Sequence, residues 1–194
     1  MIHAIIFDCF GVLVHGSLDH LRSLVPPEHL AELNDLSHHS DYGYVTQAEY
    51  LQRVGDLLGR SASEIADIIN AQYVRNEQMI DLARSLRGEY KVAMLSNVGR
   101  GVIDRLFDAQ ELDALFDKVI LSSEVGMVKP NADIYEFASR ELEVIPEHCL
   151  MIDDLEINVT GAQAVGMQGV ICATTGECVE SIHALLKEQY ARVT

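Results

Sequence analysis

Two kinds of hydrophobic pattern divide this chain of 194 residues. Residues 2–7 form a nearly continuous apolar run, which is typical of a strand buried on both faces in a parallel sheet covered by helices. Similar runs occur at residues 91–95, 118–121, 149–152 and 169–172, and segments with helical spacing separate them. The alternation of strands and helices predicts an α/β protein with a doubly wound parallel sheet.

Residues 15–88 have a different pattern, because apolar residues recur there at helical spacing and no strand-like run is present. Thr46 with Glu49, and Ser61 with Glu64, have the spacing of capping boxes, which satisfy the first backbone N–H groups of a helix. The pattern therefore predicts a block of helices inserted after the first strand.

These patterns predict a domain organisation. We expect residues 1–14 and 89–194 to form the α/β core and residues 15–88 to form an all-helical cap. Local expectations within the core are a helix at 102–107, a loop at 124–128, Pro130 in the first turn of the next helix, and a terminal helix from Glu177 to about Arg192.

Composition limits the partners. Hydrophobic residues make up 48% of the chain, enough for a packed core. The formal net charge of −16 argues against nucleic acid or an anionic membrane as the main partner, because both require a basic face. No segment approaches the roughly 20 apolar residues of a membrane span. We expect neither nucleic acid nor membrane as a partner, and either a monomer or a homodimer.

The four cysteines form no C-x-x-C pair, and the first apolar run lacks the pattern of a signal peptide. We therefore expect reduced thiols and a cytoplasmic location. Cys9, beside Asp8, raises the alternative of a nucleophilic thiol, which is disfavoured because the sequence places no His partner. Five of the eight histidines fall in the helical block, where their spacing forms no metal-ligand set.

Polar residues follow three of the predicted strands at the points where these strands end. They are Asp8, the pair Ser96-Asn97 and the pair Asp153-Asp154, and Lys129 precedes a helix between the last two strands. Each group alone has an ordinary interpretation as a turn, a helix cap or a solvated charge. Because parallel strands end at one edge of a sheet, we expect these side chains to meet there.

In this order the residues resemble the haloacid dehalogenase (HAD) superfamily. The matching motifs are Asp8-Cys9-Phe10-Gly11-Val12-Leu13, Leu95-Ser96-Asn97, Lys129-Pro130, and Asp153-Asp154 with Asn158 behind it. The resemblance covers nearly the whole chain and implies a Rossmann-like core with an inserted cap. The short cap and the Leu-Ser-Asn motif look most like the subgroup that contains the phosphatase-like N-terminal domain of soluble epoxide hydrolase.

The resemblance implies a Mg²⁺-dependent phosphatase that acts on a small phosphorylated metabolite. Asp8 is then the nucleophile that forms an aspartyl-phosphate, Lys129 neutralises charge, and Ser96 donates a hydrogen bond to the phosphoryl group. The implied substrate-binding groups are Asn97, which supports Ser96, and the backbone N–H groups of Cys9 and Phe10. The implied metal ligands are Asp8, Asp154 and the Phe10 carbonyl, with Asp153 holding a metal-bound water.

Phe10 departs from the pattern of the resembling phosphatases, which usually carry a second aspartate at this position as general acid and base. A phenyl ring cannot transfer protons, and the loss of such help typically costs 10²–10⁴-fold in rate. Three consequences are open. The substrate has a good leaving group, another residue acts as the general acid and base, or turnover is weak or absent. His15 is the nearest candidate substitute by sequence.

Two alternatives remain open at this stage. Asp8, Phe10 and Gly11 also resemble the first motif of metal-independent 2-haloacid dehalogenases, in which the aspartate attacks carbon. Asp153 and Asp154 disagree with that interpretation, because two more carboxylates without a metal would raise the pKa of Asp8 and weaken the nucleophile. The other alternative is a non-catalytic phosphate-binding or interaction protein.

Overall fold

A five-stranded parallel sheet lies at the centre of the computed structural model, which describes residues 1–16 and 18–191. Its strands are β1 (Ala4–Phe7), β4 (Lys91–Ser96), β5 (Lys118–Leu121), β6 (Cys149–Asp153) and β7 (Gln168–Ile171). The strand order is β5-β4-β1-β6-β7, so β1 is the middle strand and pairs with β4 on one side and β6 on the other. The predicted doubly wound parallel sheet is confirmed.

Helices cover both faces of the sheet. Successive side chains of a strand point to opposite faces, so β1 contributes residues to two hydrophobic clusters. Ile5 and Phe7 pack in one cluster with α5 (Glu77–Leu86) and α10 (Thr175–Ala191). Ala4 and Ile6 pack in a second cluster with α8 (Ala132–Glu141) and α9 (Glu156–Ala164). The continuous apolar run at the start of the chain therefore reflects burial on both faces.

Four helices form the cap. They are α1 (Asp19–Leu24), α2 (Leu30–Asp41), α3 (Gln47–Leu58) and α4 (Ala62–Asn70), with a 3₁₀ turn at Pro27–His29. Their buried residues form a hydrophobic cluster separate from those of the sheet. Both predicted capping boxes are present, at the starts of α3 and α4.

The helical segment contains one feature that its pattern did not predict. Val74–Arg75 (β3) pairs antiparallel with Val14–His15 (β2), so a two-stranded ribbon joins the two connections of the cap. The expectation that no strand occurs in residues 15–88 is therefore wrong, because two-residue strands are too short to show period-2 alternation.

The packing of α5 also differs from the expected domain boundary. Met79, Ile80 and Ala83 are fully buried in the cluster of Ile5 and Phe7, rather than in that of the cap. A cap that ends at residue 88 thus includes a helix that covers the sheet. We propose that the cap ends at the ribbon instead. The spacing of apolar residues identifies a helix but does not say which core it joins.

Three local expectations in the core need correction. The segment expected as a helix at 102–107 contains only a 3₁₀ turn (Ile103–Arg105), and the α-helix α6 (Ala109–Leu115) begins after it, capped by Asp108. A short helix α7 (Ser122–Val125) begins directly after β5, where loop was expected from residue 124. Pro130 precedes α8 by two residues and is not in its first turn.

The terminal helix starts at Thr175, and its expected end at Arg192 lies outside the described residues. Among the helices of the described chain, none combines the length and the apolar character needed to cross a membrane.

Candidate active site

Asp8 follows directly after the middle strand, at the carboxyl edge of the sheet. Its backbone N–H donates to the carbonyl of Ile152 at 2.9 Å, which continues the β1–β6 pairing. The side chain is 9% exposed, and Oδ1 accepts hydrogen bonds from the Cys9 N–H at 2.7 Å and Lys129 Nζ at 2.8 Å. Burial raises the pKa of Asp8 to about 7, although Lys129 lowers it and Asp153 raises it further. The ionised form of Asp8 therefore depends on cations nearby.

Lys129 places a buried ammonium group between two carboxylates. Its side chain is almost fully buried, and Nζ lies 2.8 Å from Asp8 Oδ1 and 2.6 Å from Asp153 Oδ2. Burial lowers the pKa of Lys129, but the two carboxylates outweigh this effect and raise it above its usual value. Lys129 thus stays charged and links the ends of β1 and β6.

Asp153 is fully buried and surrounded by protein donors. Besides the Lys129 ammonium, it accepts hydrogen bonds from the Leu155 N–H at 2.9 Å and from Asn158 Nδ2 at 3.0 and 3.1 Å. The Tyr135 hydroxyl donates to the Asn158 carbonyl at 2.7 Å and so fixes this part of α9. Because both oxygens of Asp153 already have partners, the arrangement favours its expected position beside a metal-bound water over direct ligation.

Asp154 completes a group of three carboxylates. Oxygen atoms of Asp8, Asp153 and Asp154 lie within 4.8 Å of one another. Burial, followed by the charge of Asp153, raises the pKa of Asp154. Gly11 permits this approach, because a Cβ at Gly11 would lie 2.3 Å from Asp154 Cγ and its φ of +83° disfavours other residues. All the side-chain donors are carboxylate oxygens, the type that Mg²⁺ prefers, so the residues fit the expected metal.

The second motif supplies Asn97 and Ser96. Asn97 lines the cavity of the site, but its amide is hydrogen-bonded to the backbone N–H and carbonyl of Lys129. Asn97 therefore holds Lys129, and its contact with substrate stays a prediction. Ser96 is fully buried, and its Oγ has no hydrogen-bond partner among the described residues. A buried hydroxyl without a partner needs an explanation, and the hydrogen bond from Ser96 to a phosphoryl oxygen stays a prediction.

Cys9 and Phe10 follow the nucleophile in the turn. Cys9 is fully buried, its thiol pKa is raised by burial, and its backbone N–H faces the Asp8 carboxylate. These properties disfavour the alternative of a thiolate nucleophile. Phe10 lines the cavity, and its ring lies 5.0 Å from that of Tyr73, centroid to centroid. The metal-binding role of the Phe10 carbonyl and the substrate-binding roles of both N–H groups stay predictions.

A cavity of about 730 Å³ lies over these residues and is lined by both the core and the cap. Asp8, Lys129, Asn97 and Asp154 form its charged and polar floor. Cap residues that line it include Arg22, Ser37, Asp41, Gln47, Tyr50 and Ile69. The exposed His15 also lines it. The cavity gives a substrate access to Asp8 beneath a surface of mixed polarity.

Sequence reasoning missed several residues of this site. Asn158 and Gly11 belong to the motifs that match the HAD superfamily, and this match is the signal that could have given them a role. Asp41 and Tyr73 carry no such signal, because each is an ordinary residue near the end of a cap helix or loop. Their positions depend on how the cap packs over the core.

Comparisons with known proteins identify the family of the chain. A family model for haloacid dehalogenase-like hydrolases matches residues 2–166. Sesquiterpene phosphatase astK of Aspergillus oryzae is 26% identical over 190 residues, which cover 91% of this chain and 93% of the relative. D-ribitol-5-phosphate phosphatase of Bacteroides thetaiotaomicron is 26% identical over 186 residues, covering 87% and 90%.

A solved structure shares the fold. It is a HAD family enzyme from Bacteroides thetaiotaomicron in complex with magnesium and inorganic phosphate, with a TM-score of 0.74 and 23% identity over 88% of this chain and 94% of that chain. Together with the family match, this likeness confirms the resemblance that the sequence motifs predict. The chain belongs to the haloacid dehalogenase-like hydrolase family.

Proposed function

We propose that the protein is a Mg²⁺-dependent phosphatase that hydrolyses a small phosphorylated metabolite through an aspartyl-phosphate on Asp8. Two full-length relatives named as phosphatases support the reaction class. The single observation that carries the proposal is the charge balance around Lys129. This one ammonium faces three carboxylates, which leaves the site with an excess of negative charge when all are ionised.

This excess charge matters because the proposed substrate is itself an anion. A phosphate approaching three carboxylates and one ammonium is repelled, whereas a divalent cation restores neutrality before the phosphate enters. A metal-independent dehalogenase has no use for Asp154 at this position. The charge balance therefore supports a metal-dependent phosphatase over the alternative that attacks carbon.

Asp8 and Asp154, with the backbone carbonyl of Phe10, would hold the metal. The ion supplies neutralisation of charge on the carboxylates and the phosphoryl oxygens. The fit rests on the all-oxygen donor set and on the close approach that Gly11 allows. The Mg²⁺-bound family member with the same fold supports the choice of metal.

The residues of this chain then have distinct roles. Asp8 attacks phosphorus, and Lys129 offsets the charge that develops on the phosphoryl oxygens. Ser96 donates its otherwise unpartnered hydroxyl to one of these oxygens, and the N–H groups of Cys9 and Phe10 bind the others. Water hydrolyses the aspartyl-phosphate in the second step. Such a site works mainly by positioning and electrostatic stabilisation.

The test is release of phosphate from p-nitrophenyl phosphate with Mg²⁺ and with chelator, alongside halide release from 2-chloropropionate. We expect Mg²⁺-dependent phosphate release that the variant Asp8→Asn abolishes, and no halide release. Activity that persists in chelator contradicts the metal requirement. Halide release without metal supports the dehalogenase, and binding of a phosphate analogue without turnover supports a non-catalytic protein.

The relatives, the cavity and the cysteines also bear on the substrate type and the cellular location. The two phosphatase relatives act on a sesquiterpene and on a sugar-alcohol phosphate by name, and the mixed polarity of the cavity suits either type. A monomer or homodimer stays a prediction. The four cysteines are free and buried, which supports a reducing compartment such as the expected cytoplasm.

A further inference from the structure

The proposed reaction lacks an assigned proton carrier. The leaving oxygen needs a proton in the first step, and the attacking water must lose one in the second. Phe10 occupies the position two residues after Asp8, and its ring packs against Tyr73. The carrier must therefore be another group that faces the cavity.

Few described residues of the cavity can both give and take a proton. Tyr50 and Tyr73 have pKa values raised by burial, for Tyr73 to about 12, so they keep their protons near neutral pH. Asp19 is mostly exposed and forms an ion pair with Arg22. Asp8, Asp154 and Lys129 already have roles in the proposed site. Asp41 and the exposed His15 remain.

The chain holds Asp41 firmly over the core. The Ser122 hydroxyl donates to the backbone carbonyl of Asp41 at 2.6 Å and accepts from the Val98 N–H at 2.9 Å. Two residues further, a Cβ at Gly43 would lie 2.3 Å from the Ser123 carbonyl oxygen, so the backbones are in close contact there. The end of α2 is thus docked on the start of α7, and Asp41 lines the cavity.

Tyr42 adds a third attachment beside Asp41, because its hydroxyl accepts a hydrogen bond from Asn131 Nδ2 at 3.0 Å. Asn131 precedes α8 and lies two residues after Lys129. The cap is therefore joined to the segment that carries the catalytic lysine. The backbone of Asp41 therefore keeps a fixed position relative to this segment, as the positioning of a proton carrier requires.

The surroundings of Asp41 favour a carboxyl group that changes its protonation state near neutral pH. Burial raises the pKa of Asp41 to about 7, while Lys129 and Arg22 lower it. The other titratable groups that face it are Tyr50 on α3 and Tyr73. A general acid and base works best when its pKa lies near the working pH.

We propose that Asp41, supplied by the cap, replaces the missing general acid and base of the core; this inference rests on the proposed phosphatase function. In the first step Asp8 bonds to phosphorus, the bond from phosphorus to the leaving oxygen breaks, and Asp41 gives its proton to that oxygen. In the second step water attacks phosphorus, Asp41 takes a proton from the water, and the bond from phosphorus to Asp8 breaks. Phosphate leaves, and both side chains return to their starting states.

Two aryl phosphates that differ in their leaving oxygen test this role. The p-nitrophenolate group leaves without a proton, whereas phenolate is more basic and gains from one. In Asp41→Asn we expect kcat/KM for phenyl phosphate to fall about 100-fold and that for p-nitrophenyl phosphate by less than about 5-fold. Asp41→Glu keeps a carboxyl group and is expected to restore most of the loss. Asp35→Asn, an exposed position on the same helix, is the matched control.

An equal fall for both substrates in Asp41→Asn overturns the proposal, since that result indicates a structural role. No fall for phenyl phosphate also overturns it, as does a selective fall in His15→Gln in place of Asp41→Asn. If Asp41→Asn does not melt cooperatively, Asp41→Ser provides the same comparison. Wild-type protein that hydrolyses neither substrate with Mg²⁺ contradicts the proposed function itself, which separates the two failures.

Discussion

Asn97 holds the backbone of Lys129 with both ends of its side-chain amide. The Lys129 N–H donates to Asn97 Oδ1 at 2.9 Å, and Asn97 Nδ2 donates to the Lys129 carbonyl at 2.8 Å. This pairing connects the end of β4 to the segment that carries the buried ammonium. Asn97 thus acts on the chemistry through Lys129, as a positioning residue.

Replacing Asn97 tests this positioning role. Asn97→Ala leaves the N–H and the carbonyl of Lys129 without partners, so we expect the free energy of unfolding to fall by about 1–3 kcal/mol. We also expect kcat to fall with little change in KM, because the lysine loses its alignment with Asp8. Urea unfolding and steady-state kinetics measure the two effects. Asn34→Ala, at an exposed cap position, is the control, and equal stability of the two variants contradicts the role.

Loss of the buried ion pairs of Lys129 is expected to lower the free energy of unfolding more than loss of an exposed ion pair. Lys129→Met leaves Asp8 and Asp153 buried without their shared cation, so we expect a loss of about 3–5 kcal/mol in the free energy of unfolding. Lys118→Met breaks an ion pair with Glu141 that is nearly half exposed, so its loss should stay below about 1 kcal/mol. Both variants are measured by urea unfolding in chelator. Similar losses in the two variants would show that burial of the Lys129 ion pairs adds no stability.

Gly11 offers a test of the carboxylate group. Gly11→Ala forces a Cβ against Asp154 and strains a backbone at φ +83°, so we expect it to raise the Mg²⁺ concentration that gives half-maximal activity, by about tenfold or more. Gly126→Ala is the matched control, because its φ is +69° but nothing lies within 4 Å of the added Cβ. A Mg²⁺ titration of activity compares them. An unchanged requirement in Gly11→Ala argues against metal ligation by Asp154.

Asp41 should make stability depend on pH with a defined sign. Its pKa rises from 3.8 to about 7 on folding, so the native state binds the proton more tightly than the unfolded state. The stabilisation is complete below about pH 4 and is lost as the pH rises to about 7. Asp41→Asn should therefore match wild type at low pH and exceed it at pH 8.

Urea unfolding in chelator between pH 4 and pH 8, the window set by the shift from 3.8 to about 7, measures this difference. The Asp35→Asn variant should follow the wild-type curve throughout, because this residue is exposed on the same helix. A constant difference between Asp41→Asn and wild type across this range would contradict the raised pKa.

The meeting of Asp8 and Asp153 could be predicted from the sequence because it follows from one rule. Parallel strands end at the same edge, so polar residues at the ends of buried apolar runs must lie near one another. The apolar runs were long enough to identify each strand, and the adjacent strands β1 and β6 bring these two residues together. Tertiary structure adds little to this part of the site.

The role of Asn97 and the position of Asp41 could not be predicted from the ends of the strands. Asn97 follows a strand as expected, but which groups its amide meets depends on the path of the segment at Lys129. Asp41 reaches the cavity only because the end of α2 docks on α7, a helix that the sequence pattern did not predict. Contacts between the cap and the core depend on the shape complementarity of their surfaces, which produces no periodic pattern in the sequence.

The ribbon of β2 and β3 has a consequence for how such proteins diversify. The chain enters and leaves the cap at neighbouring points, and the Asn76 side chain ties the exit to the Val12 carbonyl at 2.9 Å. For the sheet domain, the whole cap is one closed loop whose ends stay fixed whatever lies between them. One cap can therefore be exchanged for another without changing strand order or register. If the proton carrier belongs to that loop, an exchange of caps replaces part of the catalytic apparatus together with the substrate pocket.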